Sequence, residues 1–556
     1  MVSEAGERIA VVLGPGEAWD APAVRRAAIV GEDRAEVVDL TALGEAIARE
    51  ESRCPRWVWW SAQSAARPLV ETGVHVARAW DVAEAHRLLA GGWRADPGLA
   101  WCVAQGLDPA GMPEAARGDL FDAMTPVAGD PDSPVTPEGY LRPEAAAGTW
   151  AVTDERLLNW GRALLDCAAA QRARAQAIPR LVSTIHAESA AALLCEELRR
   201  DGLPVDRAAL LEIIEPMSRP AAERDAAVLA HVPGREGTDL RNPAAVREVL
   251  RGVGIDVPTT RKHVLEEYAG VHPVVPALLH WRAEERIATT YGLRWIAEHV
   301  GADDRLRGTW RACDGGAGRM TADGGLHSIP AVLRPGIAAH AGHVFVRADL
   351  GQIEPRVLAV VSGDPAFLQA TAADDLYAPV AQRLGVERSI AKVAVLSAMY
   401  GGRAGQAAAA LRGLEREYPV AMRVLVEASE AGARGEAVRT FGGRLIPTTR
   451  LVRPDGAHDP ELDAARGRFA RNAIIQGSAA ELFKAWAATV RATTRDLDAR
   501  IVLCLHDELL VHVPVHHAEE VAGRVDQALT DAARRWSGGT ARFVADTSIV
   551  TRWSEA

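Results

Sequence analysis

Short apolar runs alternate with helical patterning along the first part of the chain. Arg8-Ile9-Ala10-Val11-Val12-Leu13 ends at Gly14-Pro15-Gly16, and Trp57-Val58-Trp59-Trp60 is a second such run. Both predict buried strands. Asp81 to Leu89 predicts a helix closed by Gly91-Gly92. Pro, Gly and Asp crowd the stretch from Pro109 to Pro143, which predicts a loop-rich linker. Helical periodicity takes over afterwards. Ser189 to Leu198 is amphipathic and stops at Gly202. Asp206 is placed to cap Arg207 to Glu215, with Pro216 ending that helix, and Asn242 to cap the one that begins at Pro243. No internal repeat is visible.

Composition narrows the class. With 556 residues the chain is too long for one core, so two to four domains are expected. Hydrophobic residues make up 48% and charged residues 25%, a soluble globular balance. No apolar run approaches the ~20 residues that span a bilayer, so no membrane association is expected. The acidic start, Met1 to Glu7, has no signal-peptide pattern. The cysteines (Cys54, Cys102, Cys167, Cys195, Cys313, Cys504) form no C-x-x-C pair. That argues against zinc and disulfides and fits a reducing cytoplasm. The net charge of −11 excludes a wholly basic nucleic-acid coat but not a local basic cleft. Only three of the 63 basic residues are lysine (Lys262, Lys392, Lys484), and Asn is equally scarce. A GC-rich genome explains the bias, and it singles out the surviving lysines, because Lys can release a proton where Arg cannot. Nine of the fifteen tryptophans fall at or before Trp160. They suit either a stacking platform for single strands or an aromatic core, and the core is the expectation.

Three segments carry candidate chemistry. Val344 to Val361 predicts a strand delivering Asp349 at its end, then a helix with Ile353, Val357, Val360 and Val361 on one face. Pro355 falls in the first turn, where it is tolerated. Alone, Asp349 suits a metal ligand or a simple turn residue. Ile501 to Pro514 predicts a hairpin with His506-Asp507-Glu508 at its tip, a charged set that is costly between apolar strands unless paired or metal-bound. Arg388 to Gly402 predicts a helix on which Arg388, Lys392, Leu396 and Tyr400 recur every fourth residue. Each step turns about 400°, so the four side chains form one slightly slanting stripe. Two cations, an apolar residue and an aromatic in that order suit a nucleoside triphosphate laid along a helix, though a solvated charge pair would look the same.

Together these segments resemble the A-family DNA polymerases. Asp349 to Arg356 is similar to the palm motif D-Y-S-Q-I-E-L-R, the helix to the fingers motif R-x-x-x-K-x-x-x-F-x-x-x-Y-G, and the hairpin to the palm motif H-D-E. Thr289-Thr290-Tyr291 resembles S-T-Y, and Ala317-Gly318-Arg319-Met320 resembles T-G-R-L. Leu326 with Ile329-Pro330 keeps part of P-N-L-Q-N-I-P. Arg468, Asn472 and Gln476-Gly477-Ser478-Ala479-Ala480-Glu481 resemble R-x-x-x-N-x-x-x-Q-G-T-A-A-D. The resemblance runs from about Glu188 to the C-terminus. Departures include Leu350, Gly351 and Pro355 in the palm motif, Val395-Leu396-Ser397 in the fingers, and Leu505 before His506. None removes a catalytic charge.

The resemblance implies a mixed α/β right-hand polymerase. Its thumb is expected at about 186–300, its palm at 301–365 and 460–556, and its fingers at 366–459. A linker (111–185) and a degenerate RNase H-like exonuclease domain (1–110) would precede it. It implies template-directed addition of dNTPs to a primer 3′-hydroxyl on primer–template DNA, with two Mg²⁺ held by Asp349, Asp507 and the Leu350 carbonyl. Arg388, Lys392, Leu396, Tyr400, Glu354, Gln352 and His506 would bind the dNTP, with Lys392 also the proton donor. Arg319, Arg468, Asn472, Gln476, His506 and Glu508 would line the DNA. Proofreading is expected to be absent. The D-x-E expected after Leu13 reads Gly14-Pro15-Gly16-Glu17, and Asp81 and Asp154 are the acids left, both placed as helix caps. A monomer in the cytoplasm, at the nucleoid, is expected. The alternative is a catalytically weak relative that binds primer–template or single strands as an accessory factor.

Overall fold

The computed structural model describes residues 7–14, 26–114, 129–401, 407–449, 459–505 and 507–555. Glu17, Trp19 and His506 lie outside the described residues. The chain divides into two compact units. One comprises Met1–Asp201, Thr309–Thr321 and Phe345–Ile549, and the other Gly202–Gly308, Ala322–Val344 and Val550–Ala556. No described helix is long and apolar enough to cross a membrane.

The first unit holds both principal sheets. Near the N-terminus, β1 (Arg8–Gly14), β2 (Arg26–Val30), β3 (Ala35–Asp39), β4 (Arg56–Trp59) and β5 (Ala79–Asp81) form a sheet in the order β3-β2-β1-β4-β5. The first three strands are antiparallel, and β4 and β5 run parallel to β1. Ile9 to Leu13 are buried, as their unbroken apolar run requires. The tryptophans here are core. Trp57, Trp59, Trp60, Trp80, Trp101, Trp150 and Trp160 are buried, and Trp60 stacks on Trp160 at 4.6 Å between ring centroids. Several indole N–H groups are anchored, as in Trp80 donating to Gln171 Oε1 at 3.0 Å, whereas the buried Trp60 Nε1 has no partner. Among the described tryptophans of this stretch, only Trp93 is exposed.

The second sheet contains β6 (His343–Leu350), β7 (Arg500–Leu505), β8 (Glu508–Pro514) and β9 (Ala545–Val550), in the order β7-β8-β6-β9. The β7–β8 hairpin pairs Leu505 with Glu508, which leaves a two-residue tip. The 34-residue helix Pro460–Thr493 is started by Asp459, whose side chain accepts from the Glu461 and Leu462 amides.

A buried ionic network lies in the same unit. Glu188 is fully buried, and its Oε1 accepts from both Arg444 Nη2 and Lys484 Nζ at 2.6 Å. Lys484 also donates to the Gly318 carbonyl at 2.6 Å. Burial pushes against the Glu188 charge, but Arg444 and Lys484 outweigh it and hold its carboxyl below the usual range. Glu84, paired with Arg87, is pushed up to about 7, chiefly by burial. Glu84, Glu188 and Cys313 bring donor atoms within 4.8 Å of one another. With Arg87, Arg444 and Lys484 already on those carboxylates, the set is an ion-pair network rather than a cation site.

The second unit is helical, with a core of Val246, Val249, Leu250, Leu278 and Trp281. Asp206 and Asn242 cap their helices as expected. Pro216, expected to end its helix, lies inside it: the helix runs Arg207–Met217. A proline next to the last residue disturbs only the final turn. Tyr291 of the T-T-Y segment is fully buried, with its hydroxyl 2.8 Å from the Ser328 carbonyl.

The network makes a pH prediction. A carboxyl whose folded pKa is raised stabilises the fold below its unfolded pKa, near 4.5 for Glu84, and that stability is lost as pH rises through about 7. The melting temperature should therefore fall between pH 5 and 8. Calorimetry of Glu84→Gln should show a slope reduced by about 2–3 kcal/mol over that range. An unchanged slope would assign the pH dependence to other groups.

Candidate active site

Asp349 sits at the end of β6, with Asp507 at the tip between β7 and β8. One backbone bond fixes them together: the Leu350 N–H donates to the Asp507 carbonyl at 2.9 Å. Burial, and then the Asp507 charge, push Asp349 up to about 6. Asp507 is raised as well, by burial first and then by Glu508 and Glu354. Two hard-oxygen donors crowded in this way are suited to a divalent cation, which removes the repulsion that raises both. Arg347 partly offsets it now. Its Nη2 donates to Asp349 Oδ2 at 3.0 Å and its Nε to Glu508 Oε1 at 2.6 Å. Glu508 was expected at the DNA surface. It is buried, and its carboxylate is held by Arg347.

The helix after β6 runs Ile353–Ser362 and starts from Gln352, whose φ is +55°. A non-glycine residue in that region is disfavoured by about 1–2 kcal/mol. Two bonds hold it there: Gln352 Oε1 accepts from the Leu376 amide at 2.8 Å, and its Nε2 donates to Asp375 Oδ1 at 3.1 Å. Gln352 is therefore occupied with the 375–376 loop. Pro355 lies in the first turn, and Arg356 is fully buried. The Arg356 guanidinium donates to the carbonyls of Gly351, Thr371, Arg542, Ala373 and Asp374 at 2.6–3.0 Å.

The helix Arg388–Tyr400 carries the expected stripe. Arg388, Lys392 and Tyr400 are exposed and Leu396 is half-buried. Arg388 is held by Asp375, with its Nη2 3.2 Å from Oδ1. Lys392 makes no ion pair with any described residue. The Tyr400 hydroxyl donates to Glu354 Oε2 at 2.7 Å, which ties the stripe to the helix after β6. Burial first, and then this bond, raise the Tyr400 hydroxyl, while Gln476 and Arg319 are close enough to oppose the shift. Gly401 ends the helix at φ +78°, and a Cβ there would lie 3.4 Å from Arg468 Cγ. Arg319, Tyr400, Glu354, Gln476 and Arg468 thus converge. Asn472 lies one turn from both Arg468 and Gln476 on their helix and is half-buried.

Residues 253–555 match the family model described as DNA polymerase family A. The chain belongs to DNA polymerase family A. It is 30% identical to DNA polymerase I of Chloroflexus aurantiacus over 333 residues, 54% of this chain and 34% of that protein. It is 27% identical to DNA polymerase I of Deinococcus radiodurans over 307 residues, 50% of this chain and 31% of that protein. The match thus spans about a third of the length of these curated relatives. The fold is similar to that of the POL domain of Pol1 from M. smegmatis, solved in complex with DNA primer-template and dNTP. The TM-score is 0.69 at 20% identity, covering 99% of this chain and 96% of that one.

Arg347, Arg356 and Asp375 were not singled out from sequence. Arg356 closes the quoted palm motif, so its position was visible, but its five carbonyl partners were not. At the N-terminal sheet, Asp81 is 1% exposed and accepts from Trp59 Nε1, the Ala62 amide and the Glu84 amide, capping its helix as expected. Asp154 was also expected to be a cap. Thr153 is the cap, and Asp154 lies in the first turn, bonded to Arg26 at 2.6 Å.

Arg356, itself fully buried, supplies the donors for five backbone carbonyls. Arg356→Met should lower the unfolding free energy by at least about 3 kcal/mol. Denaturant unfolding with wild-type stability would show that these carbonyls find water instead.

Proposed function

We propose that this protein is a DNA-directed DNA polymerase that extends a primer 3′-hydroxyl with dNTPs, without proofreading. The observation that carries the reading is the pairing of Asp349 with Asp507 through the Leu350–Asp507 backbone bond, beside a helix presenting Arg388, Lys392, Leu396 and Tyr400. The accessory-binder alternative is not favoured. A chain that only binds DNA gains nothing from two crowded carboxylates, which repel phosphates.

Asp349 and Asp507, with the Leu350 carbonyl, would hold two Mg²⁺ ions. When bound, such a pair activates the attacking hydroxyl and stabilises charge on the leaving pyrophosphate. Arg388 would exchange Asp375 for the triphosphate, a swap between two exposed partners that costs little. Lys392, which makes no ion pair with any described residue, would bind the same phosphates and protonate the departing pyrophosphate. Leu396 offers the base an apolar face where the family pattern has Phe. The Tyr400–Glu354 bond would fix the wall against a 2′-hydroxyl. Arg319, Arg468, Asn472 and Gln476 would contact the minor groove, whose acceptors are common to all base pairs, so pair shape is checked without reading sequence. His506 joins this set by resemblance alone. The absence of proofreading is supported by Asp81, whose carboxylate is spent on three donors, and by Asp154, paired with Arg26.

Primer extension tests the core of this reading. Asp349→Ala or Asp507→Ala should slow extension at least ~10³-fold, about 4 kcal/mol of barrier, with primer–template binding retained. Near-wild-type rates in either variant would refute the assignment. With dNTPs omitted, the labelled primer should stay full length in wild-type reactions.

The Tyr400–Glu354 bond makes a second prediction. Glu354→Ala should raise the rNTP-to-dNTP incorporation ratio by about tenfold or more, the effect of about 1.4 kcal/mol of lost exclusion. An unchanged ratio would place the sugar discrimination elsewhere.

A further inference from the structure

The helix Pro460–Thr493 and β7 are joined by residues 494–499, and the loop at Gly73–His75 lies beside that junction. A cavity of about 320 Å³ opens there. It is far from the paired aspartates. At ~1.5 Å per residue, Arg491 lies about 22 Å along its helix from Gln476. At ~3.3 Å per residue, Arg500 lies about 17 Å along β7 from Leu505, beside the tip.

The lining is unusually cationic for an acidic protein. Arg200, Arg491, Arg495 and Arg500 face three carboxylates, Glu197, Asp201 and Asp498. Arg491 grips Glu197 through two bonds of 2.6 Å, and Arg200 grips Asp201 at 2.7 and 3.0 Å. Arg500 has only long contacts, 3.3 Å to Asp201 and 3.4 Å to Asp498. The Arg495 guanidinium makes no hydrogen bond or ion pair with any described residue. His75 reports the local field. Burial, and then Arg491 and Arg495, hold its imidazole down at about 3, so it stays neutral and adds no charge. Arg495 is itself lowered, by burial and by Arg491, with Glu197 and Glu51 close enough to oppose the shift. The four lining arginines thus outnumber the three lining carboxylates by one, in a concave site that focuses their field.

We propose that this cavity binds a small phosphate-bearing anion, with Arg495 as its main contact and Arg500 turning to it from its two long carboxylate contacts. The volume suits pyrophosphate or one nucleotide. Guanidinium forks match phosphate oxygens in geometry as well as charge. The phosphate could arrive free or at the end of a DNA strand, and the free anion is the commitment here. Nothing in the site depends on the polymerase chemistry.

Hydrogen exchange of the full chain in EDTA, with and without pyrophosphate, tests it, and EDTA suppresses metal-dependent binding at the paired aspartates. Pyrophosphate should protect segments 72–76 and 494–501. Arg495→Ala should weaken the Kd read from that protection at least about tenfold. Its melting temperature and primer extension should match wild type, since its guanidinium makes no hydrogen bond or ion pair with a described residue. Arg495→Lys, which keeps the charge, should retain binding. No protection up to about 10 mM pyrophosphate, weaker than any functional small-anion site, would overturn the proposal. So would equal protection in Arg495→Ala. Protection by a 5′-phosphorylated oligonucleotide but not by pyrophosphate would overturn it in favour of a DNA-end site.

Discussion

The Leu350–Asp507 backbone bond is the constraint on which the site depends. Two carboxylates close enough for Asp507 to raise Asp349 repel each other, and no side-chain preference would bring them together. The sheet does it instead. β8 lies between β6 and β7 and is buried along most of its length, so Asp507 cannot retreat without breaking strand pairs on either side. Arg347 then reduces the repulsion without removing it, because it divides its donors between Asp349 and Glu508. The result is a charged pair held together by the backbone, with both acid groups raised above their ordinary values.

The supports around that pair are mostly backbone carbonyls and amides rather than further charges. Arg356 gathers five carbonyls beneath the turn that follows Asp349, and Gln352 holds a left-handed conformation through its bonds to the 375–376 loop. Asp375 joins Gln352 to Arg388, so the loop that braces the turn also restrains the cation nearest the start of the stripe. Geometry at the aspartates and the position of the helix Arg388–Tyr400 are therefore linked through one carboxylate.

Much of this was legible in the sequence because it is local. A strand ending in an acid, a hairpin with a charged tip and a four-residue helical repeat are read from neighbours at fixed spacing. The same holds for the caps at Asp206, Asn242 and Asp81. What escaped was long-range. Arg347 meets Glu508 across 161 residues, and Lys484 meets Glu188 across 296. No periodicity reports such a pairing. Glu508 was misplaced for that reason: the tip position is visible in sequence, but the arginine that turns its carboxylate inward is not. The tryptophans followed composition, since side chains of that size fill the sheet's core before they are left for a ligand.

The scarcity of lysine acquires physical meaning at Lys484. It is fully buried, with its ammonium on a Glu188 oxygen and on the Gly318 carbonyl. Those acceptors lie on different elements, and a compact, freely rotating ammonium can serve both, whereas a planar guanidinium needs its acceptors near one plane and occupies more volume. Arg444 already fills the space beside it: a Cβ on Gly318 would fall 2.5 Å from the Arg444 Cζ. An arginine at 484 would therefore have to displace either Arg444 or the Gly318 backbone, and Gly318 directly precedes Arg319 of the converging set. In a chain whose basic residues are otherwise almost all arginine, position 484 keeps a lysine where two acceptors on different elements leave little room for a guanidinium.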